Sequence, residues 1–255
     1  MSDRVVVVTG ASGGIGAATA EHLAAHGSTV VLVARRRQAL QEVAARCGGR
    51  AHVVVADVSV RAEVRRSVAD ALAQTGRIDV WINNAGRGIT RPPSELTDAD
   101  VDDMMQVNVK SVLYGMQEVL PHFKQRGDGH VINISSMLGR LPLAPARSAY
   151  TGAKHFVNAL TAMIREEVQA THPGIQFSLV SPGIVWTEFG KNAVHGGPDS
   201  RAFDVGQEAA DVAAVIASVV RSRKPDVYTR IGAAAQVAAY YAAIGEDPAG
   251  AQGGG

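Results

Sequence analysis

A single cysteine, Cys47, is present among 255 residues, so no intrachain disulfide can form and packing is the role left to that thiol. An excess of charge of either sign is also missing: 25 basic side chains stand against 24 acidic ones, for a formal net charge of +1. That balance speaks against nucleic acid or an acidic membrane surface as a partner. No apolar run approaches the roughly 18 uninterrupted residues of a membrane span. Residues 1–4 run straight into a strand-like segment and lack the charged and apolar regions of a signal peptide. The expected location is therefore cytoplasmic. The eight histidines fall at no ligand spacing, and no metal is expected.

What is present is apolar material enough for a core, 46% hydrophobic against 19% charged, in a length suited to one α/β domain. Residues 5–9, 29–34, 52–56, 80–83, 131–135 and 176–180 read as strands. Most are continuously apolar, the pattern of strands covered on both faces. Helical segments over 15–26, 37–47, 61–74, 97–126 and 149–170 separate them. Strand, helix, strand in regular succession predicts right-handed crossovers and a doubly wound parallel sheet of Rossmann type, one domain over 1–255. Such sheets bind ligands beyond the carboxyl ends of their strands, where the chemistry-bearing residues are expected. Pro121 predicts a kink, or a division into two helices, between Asn108 and Arg126. A short strand over 226–229 is expected at one edge, and the tail over 247–255, rich in glycine, is expected to be flexible.

The first strand leads into Thr9-Gly10-Ala11-Ser12-Gly13-Gly14-Ile15-Gly16, which opens the first helix. Glycines in that position permit a tight turn and let a pyrophosphate approach backbone N–H groups at the helix start. Asp57-Val58 follows the third strand, Asn83-Asn84-Ala85-Gly86 the fourth, and Pro182-Gly183, with Thr187 beyond, the sixth. In this order the segments resemble the short-chain dehydrogenase/reductase family, over about residues 5 to 190. The resemblance implies that Gly10, Ser12, Gly14, Ile15 and Gly16 hold the pyrophosphate end of a nicotinamide dinucleotide. It further implies that Asp57 and Val58 meet the adenine, that Asn84, Ala85 and Gly86 line the site, and that Pro182, Gly183 and Thr187 meet the nicotinamide.

The second strand ends in Ala34-Arg35-Arg36-Arg37, with no carboxylate before Glu42. An acidic residue there would bind the ribose hydroxyls of NAD(H), whereas a basic one accommodates the 2′-phosphate of NADP(H). Arg35, first after the strand, is the candidate, and NADP(H) is expected ahead of NAD(H).

Tyr150 and Lys154 lie four apart on a predicted helix and share a face. A free phenol titrates near 10, and an adjacent ammonium lowers it. The segment Tyr150-Thr-Gly-Ala-Lys154 matches the family's Tyr-x-x-x-Lys signature, implying that Tyr150 exchanges a proton with the substrate oxygen and that Lys154 also holds the cofactor. Ser135 and Ser136 end the fifth strand, and either hydroxyl can steady that oxygen. Ser136, with Gly139, is the better match to the family's Ser-x-x-Gly, but it precedes Tyr150 by one residue more than is usual, which leaves Ser135 open. Asn108 completes the catalytic set by resemblance.

The implied function is hydride transfer between NADP(H) and a small-molecule carbonyl or secondary alcohol, by a homodimer or homotetramer joined through the Asn108 and Tyr150 helices. The alternative is a cofactor-binding protein with a regulatory or scaffold role. The segments 87–95, 137–147 and 186–203 are expected to surround the substrate. Their cations Arg87, Arg91, Arg147 and Lys191 invite an acidic substrate or stand as solvated charges.

Overall fold

A computed structural model describes residues 3–245. Seven strands form one parallel sheet: β1 (Val5–Thr9), β2 (Thr29–Ala34), β3 (Ala51–Val55), β4 (Val80–Asn83), β5 (Gly129–Ile134), β6 (Ile175–Ser181) and β7 (Asp226–Tyr228). Their spatial order is β3-β2-β1-β4-β5-β6-β7, so the chain reverses its direction of travel between β1 and β4. That reversal opens the crevice in which doubly wound sheets bind ligands.

The reason for continuously apolar strands is visible in β1. Val5 and Val7 join the core on one face of the sheet, and Val6 and Val8 join the core on the other. All four are buried, each worth about 1.5–3 kcal/mol relative to exposure. The face of Val6 and Val8 carries α1 (Gly14–Ala25), α2 (Arg37–Arg46) and α7 (Ala209–Ser222), with α1 packed on α7. The opposite face carries α3 (Arg61–Thr75), α5 (Ser111–Arg126) and α6 (Ser148–Gln169).

The predicted long helix is divided, but not by Pro121. Thr97 and Asp100 form a capping box that starts α4 (Asp98–Met105). The chain then widens into a π-helical turn over Gln106–Lys110 before α5 begins, and Pro121 lies within α5. The break belongs to Asn108, whose amide donates to Met104 O at 3.2 Å and also reaches outside the helix. Two helices not anticipated from the sequence follow β6. One is α7; the other, α8 (Ala233–Ala242), packs Ala233, Val237 and Tyr240 against Met137 and Leu141 beyond β5. The segment 247–255 lies outside the described residues.

Candidate active site

The loop after β1 is shaped by what lies behind it. Gly10 has φ +66, and a Cβ there would stand 2.8 Å from Ala85 Cα. A Cβ on Gly16 would meet Gly10 O at 2.4 Å and Asn84 Nδ2 at 2.5 Å, so only glycine lets these segments touch. Thr9 ties them together: its hydroxyl accepts from Asn84 N at 3.0 Å and Ala85 N at 3.1 Å, and Asn84 Nδ2 donates to Thr9 O at 2.9 Å. The first turn of α1 carries no acidic residue, and its N–H groups face the loop, an arrangement that suits a phosphate. Thr187 closes the loop from the other side, where a Cβ on Gly14 would lie 3.5 Å from Thr187 Cγ2.

At the ends of β2 and β3, Asp57 accepts from Ser59 N at 2.9 Å and Ser59 Oγ at 2.6 Å. Partial burial would raise its pKa, but the Ser59 bonds and the positive charge of Arg35 bring it below the usual carboxylate value. Arg35 Nη1 lies 3.8 Å from Asp57 Oδ2, a loose pair on a mostly exposed side chain. Arg36, by contrast, donates to Ser12 O at 3.2 Å and to Ser12 Oγ at 3.1 Å.

The end of β5 separates its two serines, because successive strand residues face opposite ways. Ser135 Oγ donates to Asn158 Oδ1 at 2.5 Å, and Asn158 Nδ2 donates in turn to Gly139 O at 2.6 Å. Ser136 accepts from Leu138 N at 3.1 Å and stands against the Tyr150 hydroxyl. Tyr150 is 7% exposed and Lys154 3%. Lys154 Nζ donates to Ile134 O at 2.8 Å and sits 5.6 Å from the Tyr150 ring centroid.

Burial pushes the Tyr150 phenol up to about 12, against the opposing pull of Ser136 and the charge of Arg147. The direction is opposite to the lowering expected from Lys154. Desolvation dominates at the phenol, and it acts on the cation too, pushing Lys154 down to about 8. Near neutral pH the phenol keeps its proton and the lysine remains mostly charged.

Asn108 is fully buried behind these groups. Its Oδ1 accepts from Arg87 N at 3.0 Å and its Nδ2 donates to Arg87 O at 3.0 Å. A Cβ on Gly86 would meet Asn108 Oδ1 at 2.8 Å and Lys154 Nζ at 3.7 Å, so the asparagine and the lysine meet across that glycine.

One cleft of about 1320 Å³ joins the two ends of the site. Gly10, Ser12, Gly14, Ile15, Arg35, Asp57, Val58, Asn84, Ala85 and Gly86 line it, and so do Ser136, Tyr150, Lys154, Pro182, Gly183 and Thr187. Of the catalytic and cofactor-binding candidates from the sequence, Gly16 and Asn108 alone are not part of its lining.

A family model described as short chain dehydrogenase matches residues 4–197. The chain belongs to the short-chain dehydrogenase family. An uncharacterized oxidoreductase of Staphylococcus saprophyticus is 38% identical over 192 residues, covering 74% of this chain and 76% of that protein. A short-chain dehydrogenase/reductase of Burkholderia phymatum, solved in complex with NAD, superposes with a TM-score of 0.87 at 25% identity, covering 96% of this chain and 95% of that one. The closed form of a serine dehydrogenase complexed with NADP+ superposes with a TM-score of 0.80 at 27% identity, over 88% and 93% of the two chains. The protein is thus an oxidoreductase of this family.

One residue of this short-chain dehydrogenase belongs to no motif noted in the sequence. Asn158 fixes Ser135 and the Gly139 carbonyl, and its position four residues after Lys154 on the same helix was an available signal. Arg147, one of the four loop cations named from the sequence, lines the cleft beside Tyr150. Among the described residues no cluster of His, Cys, Asp and Glu suits a metal, and no helix is long and apolar enough to cross a membrane.

Proposed function

We propose that this protein transfers hydride between NADP(H) and a carbonyl or secondary alcohol, with Tyr150 as the proton donor in reduction and acceptor in oxidation. The observation carrying this reading is the placement of a protonated, buried phenol between Ser136 and Lys154, in a cleft continuous with a glycine loop fit for a dinucleotide. When bound, the cofactor supplies or accepts the hydride.

The chain's own residues supply the rest. The loop Gly10 to Gly16 and the start of α1 receive the pyrophosphate. Asp57 and Val58 border the adenine, and Asn84, Ala85 and Gly86 form the floor between the halves of the sheet. Pro182, Gly183 and Thr187 border the nicotinamide, with Lys154 beside its ribose. Ser136 Oγ donates to the substrate oxygen and opposes its developing charge. Tyr150 delivers its proton to that oxygen as the carbon–oxygen double bond becomes single. The buried ammonium of Lys154 steadies the resulting phenolate, and Asn108 holds the Gly86–Arg87 backbone against which both are packed.

Arg35 supports NADP(H) over NAD(H). Its exposed guanidinium is only loosely paired with Asp57, and Arg36 and Ser12 stand at the same corner, where β2 itself ends in no carboxylate. Assembly through α5 and α6 into a homodimer or homotetramer accords with the exposed Phe156 and Met163 on α6.

The test is NADPH consumption with a panel of ketones and aldehydes, comparing the native enzyme with Tyr150→Phe. Losing a positioned acid costs roughly 10²- to 10⁴-fold in rate. Near-native turnover by a folded Tyr150→Phe enzyme would overturn the assignment.

A further inference from the structure

Six cations stand in the loops 87–95, 137–147 and 186–203 around the substrate end of the cleft, and the structure accounts for five of them: Arg140 pairs with Asp226, and Arg201 with Asp199 and Glu188. Arg87 pairs with Asp103, and Arg91 Nη1 lies 3.1 Å from Asp100 Oδ2. Lys191 is exposed and does not line the cleft. Arg147 does line it, half-buried, and has no carboxylate partner among the described residues. One of its N–H groups donates to Ile89 O at 3.0 Å, and no acceptor among the described residues takes the others.

Such an arrangement is costly. Burial lowers the Arg147 pKa, since a guanidinium removed from water without a counter-charge is disfavoured. Yet the surrounding chain makes room for it. A Cβ on Gly88 would stand 2.9 Å from Arg147 Nη1 and 3.1 Å from Phe189 Cε1, and one on Gly197 would stand 3.1 Å from Nη2. The Phe189 ring meets Tyr150 edge-on at 5.6 Å between centroids, and the charge of Arg147 reaches the phenol. A planar fork of donors without a counter-charge, an apolar ring and the proton-donating hydroxyl therefore converge on one end of the cleft.

We propose that Arg147 receives a carboxylate of the substrate, so that the enzyme's substrates are keto acids and the corresponding hydroxy acids. The inference rests on the hydride-transfer reading above. A carboxylate matches the guanidinium fork with two parallel charge-assisted hydrogen bonds and supplies the missing counter-charge. Leu138, Leu143 and Phe189 line the same region and provide apolar contact for the carbon chain between the acid and the carbonyl.

The experiment compares α-, β- and γ-keto acids with their methyl esters, which keep the chain and remove the charge. NADPH consumption reads turnover, and quenching of tryptophan emission (Trp186 lines the cleft) reads binding without turnover. The native enzyme is expected to favour at least one acid over its ester by about tenfold or more in kcat/KM, chiefly through KM. In Arg147→Gln, which keeps a donor for Ile89 O, that ratio falls towards one; in Arg147→Lys, which keeps the charge but loses the fork, it is intermediate. Acids and esters treated alike by the native enzyme, or a preference undiminished in Arg147→Gln, overturns the proposal. Because the first comparison needs no variant, misfolding of Arg147→Gln does not shield it. Should no compound be reduced while acids still quench in an Arg147-dependent manner, the carboxylate site stands and the hydride-transfer reading falls.

Discussion

Asn108 and Arg87 are joined twice: the asparagine Oδ1 accepts from Arg87 N and its Nδ2 donates to Arg87 O, both at 3.0 Å. One side chain thus satisfies both backbone polar groups of a single residue in the loop after β4, immediately beyond Gly86. The same amide bonds Met104 O and accompanies the widened turn between α4 and α5. A helix defect and the floor of the active site have one cause.

Replacing Asn108 with alanine removes these bonds and leaves buried backbone groups unsatisfied. The variant should lose about 1–3 kcal/mol of stability, read by urea denaturation. Turnover should fall more than tenfold, roughly, since Gly86 and Lys154 lose their common support, while NADPH affinity moves less. Asn108→Asp keeps an acceptor for Arg87 N and should recover part of the stability only.

Arg35→Asp should invert the cofactor preference. It replaces a cation with a group that repels the 2′-phosphate and accepts from ribose hydroxyls. NADPH affinity should fall at least about tenfold relative to NADH, measured by fluorescence titration with each cofactor. Loss of the loose Asp57 contact should leave the melting temperature nearly unchanged, as expected for an exposed pair.

Much of this site is legible in the sequence because its determinants are local. Val5–Thr9 reads as a buried strand since four consecutive valines lead into Thr9, and the Tyr150–Lys154 spacing places both on one helix face wherever the helix lies. The order of motifs at strand ends follows from the alternating topology alone. What stays hidden depends on tertiary contact. The turn at Gln106–Lys110 arises because Asn108 reaches Arg87, and Pro121, the conspicuous helix breaker, sits within a continuous helix. The choice between Ser135 and Ser136 depends on which face of β5 meets Tyr150, and the partner that claims Ser135, Asn158, comes from another element. The phenol's proton affinity is set by burial, which no spacing reports.

Lys154 gives a pH dependence with a definite sign. Its pKa is about 8 in the folded protein against an ordinary 10.5, so between these values the unfolded chain binds more protons than the folded one. Its contribution to stability therefore rises with pH through that window and is lost as pH falls through 8. The cofactor-free native protein should gain about 3 kcal/mol relative to Lys154→Met from pH 8 to 10.5, judged by denaturant unfolding of both at each pH.

His130 produces an acid limit. It is 1% exposed, its Nε2 lies 2.8 Å from Ser178 Oγ, and Nδ1 has no partner. Burial pushes its pKa down to about 3 from 6.5, so below pH 6.5 the unfolded chain takes up a proton that the folded one refuses. Stability should fall by about 2 kcal/mol between pH 7 and 5 from this group. The slope should be reduced in His130→Asn, whatever that variant's stability at neutral pH.

Phe156 and Met163 are 50% and 59% exposed, seven residues apart on one face of α6. If α6 meets a second copy of the chain, Phe156→Glu should shift the protein to a smaller species in sedimentation velocity. Activity at low protein concentration should fall with it, because α6 also carries Tyr150 and Lys154.

The π-helical turn also sets the phase of the helix that follows it. Gln106–Lys110 holds one residue more than a regular helical turn has room for, and every position of α5 is counted from it. Relaxation of those five residues into an ordinary α-helix, with none removed, would rotate the downstream apolar stripe by about 100°. Val112, Met116, Val119 and Phe123, now fully enclosed by the sheet, would turn together towards water. Removing one residue together with the wide turn would instead leave that stripe facing the sheet, because its five residues sweep about the same angle as four of an α-helix.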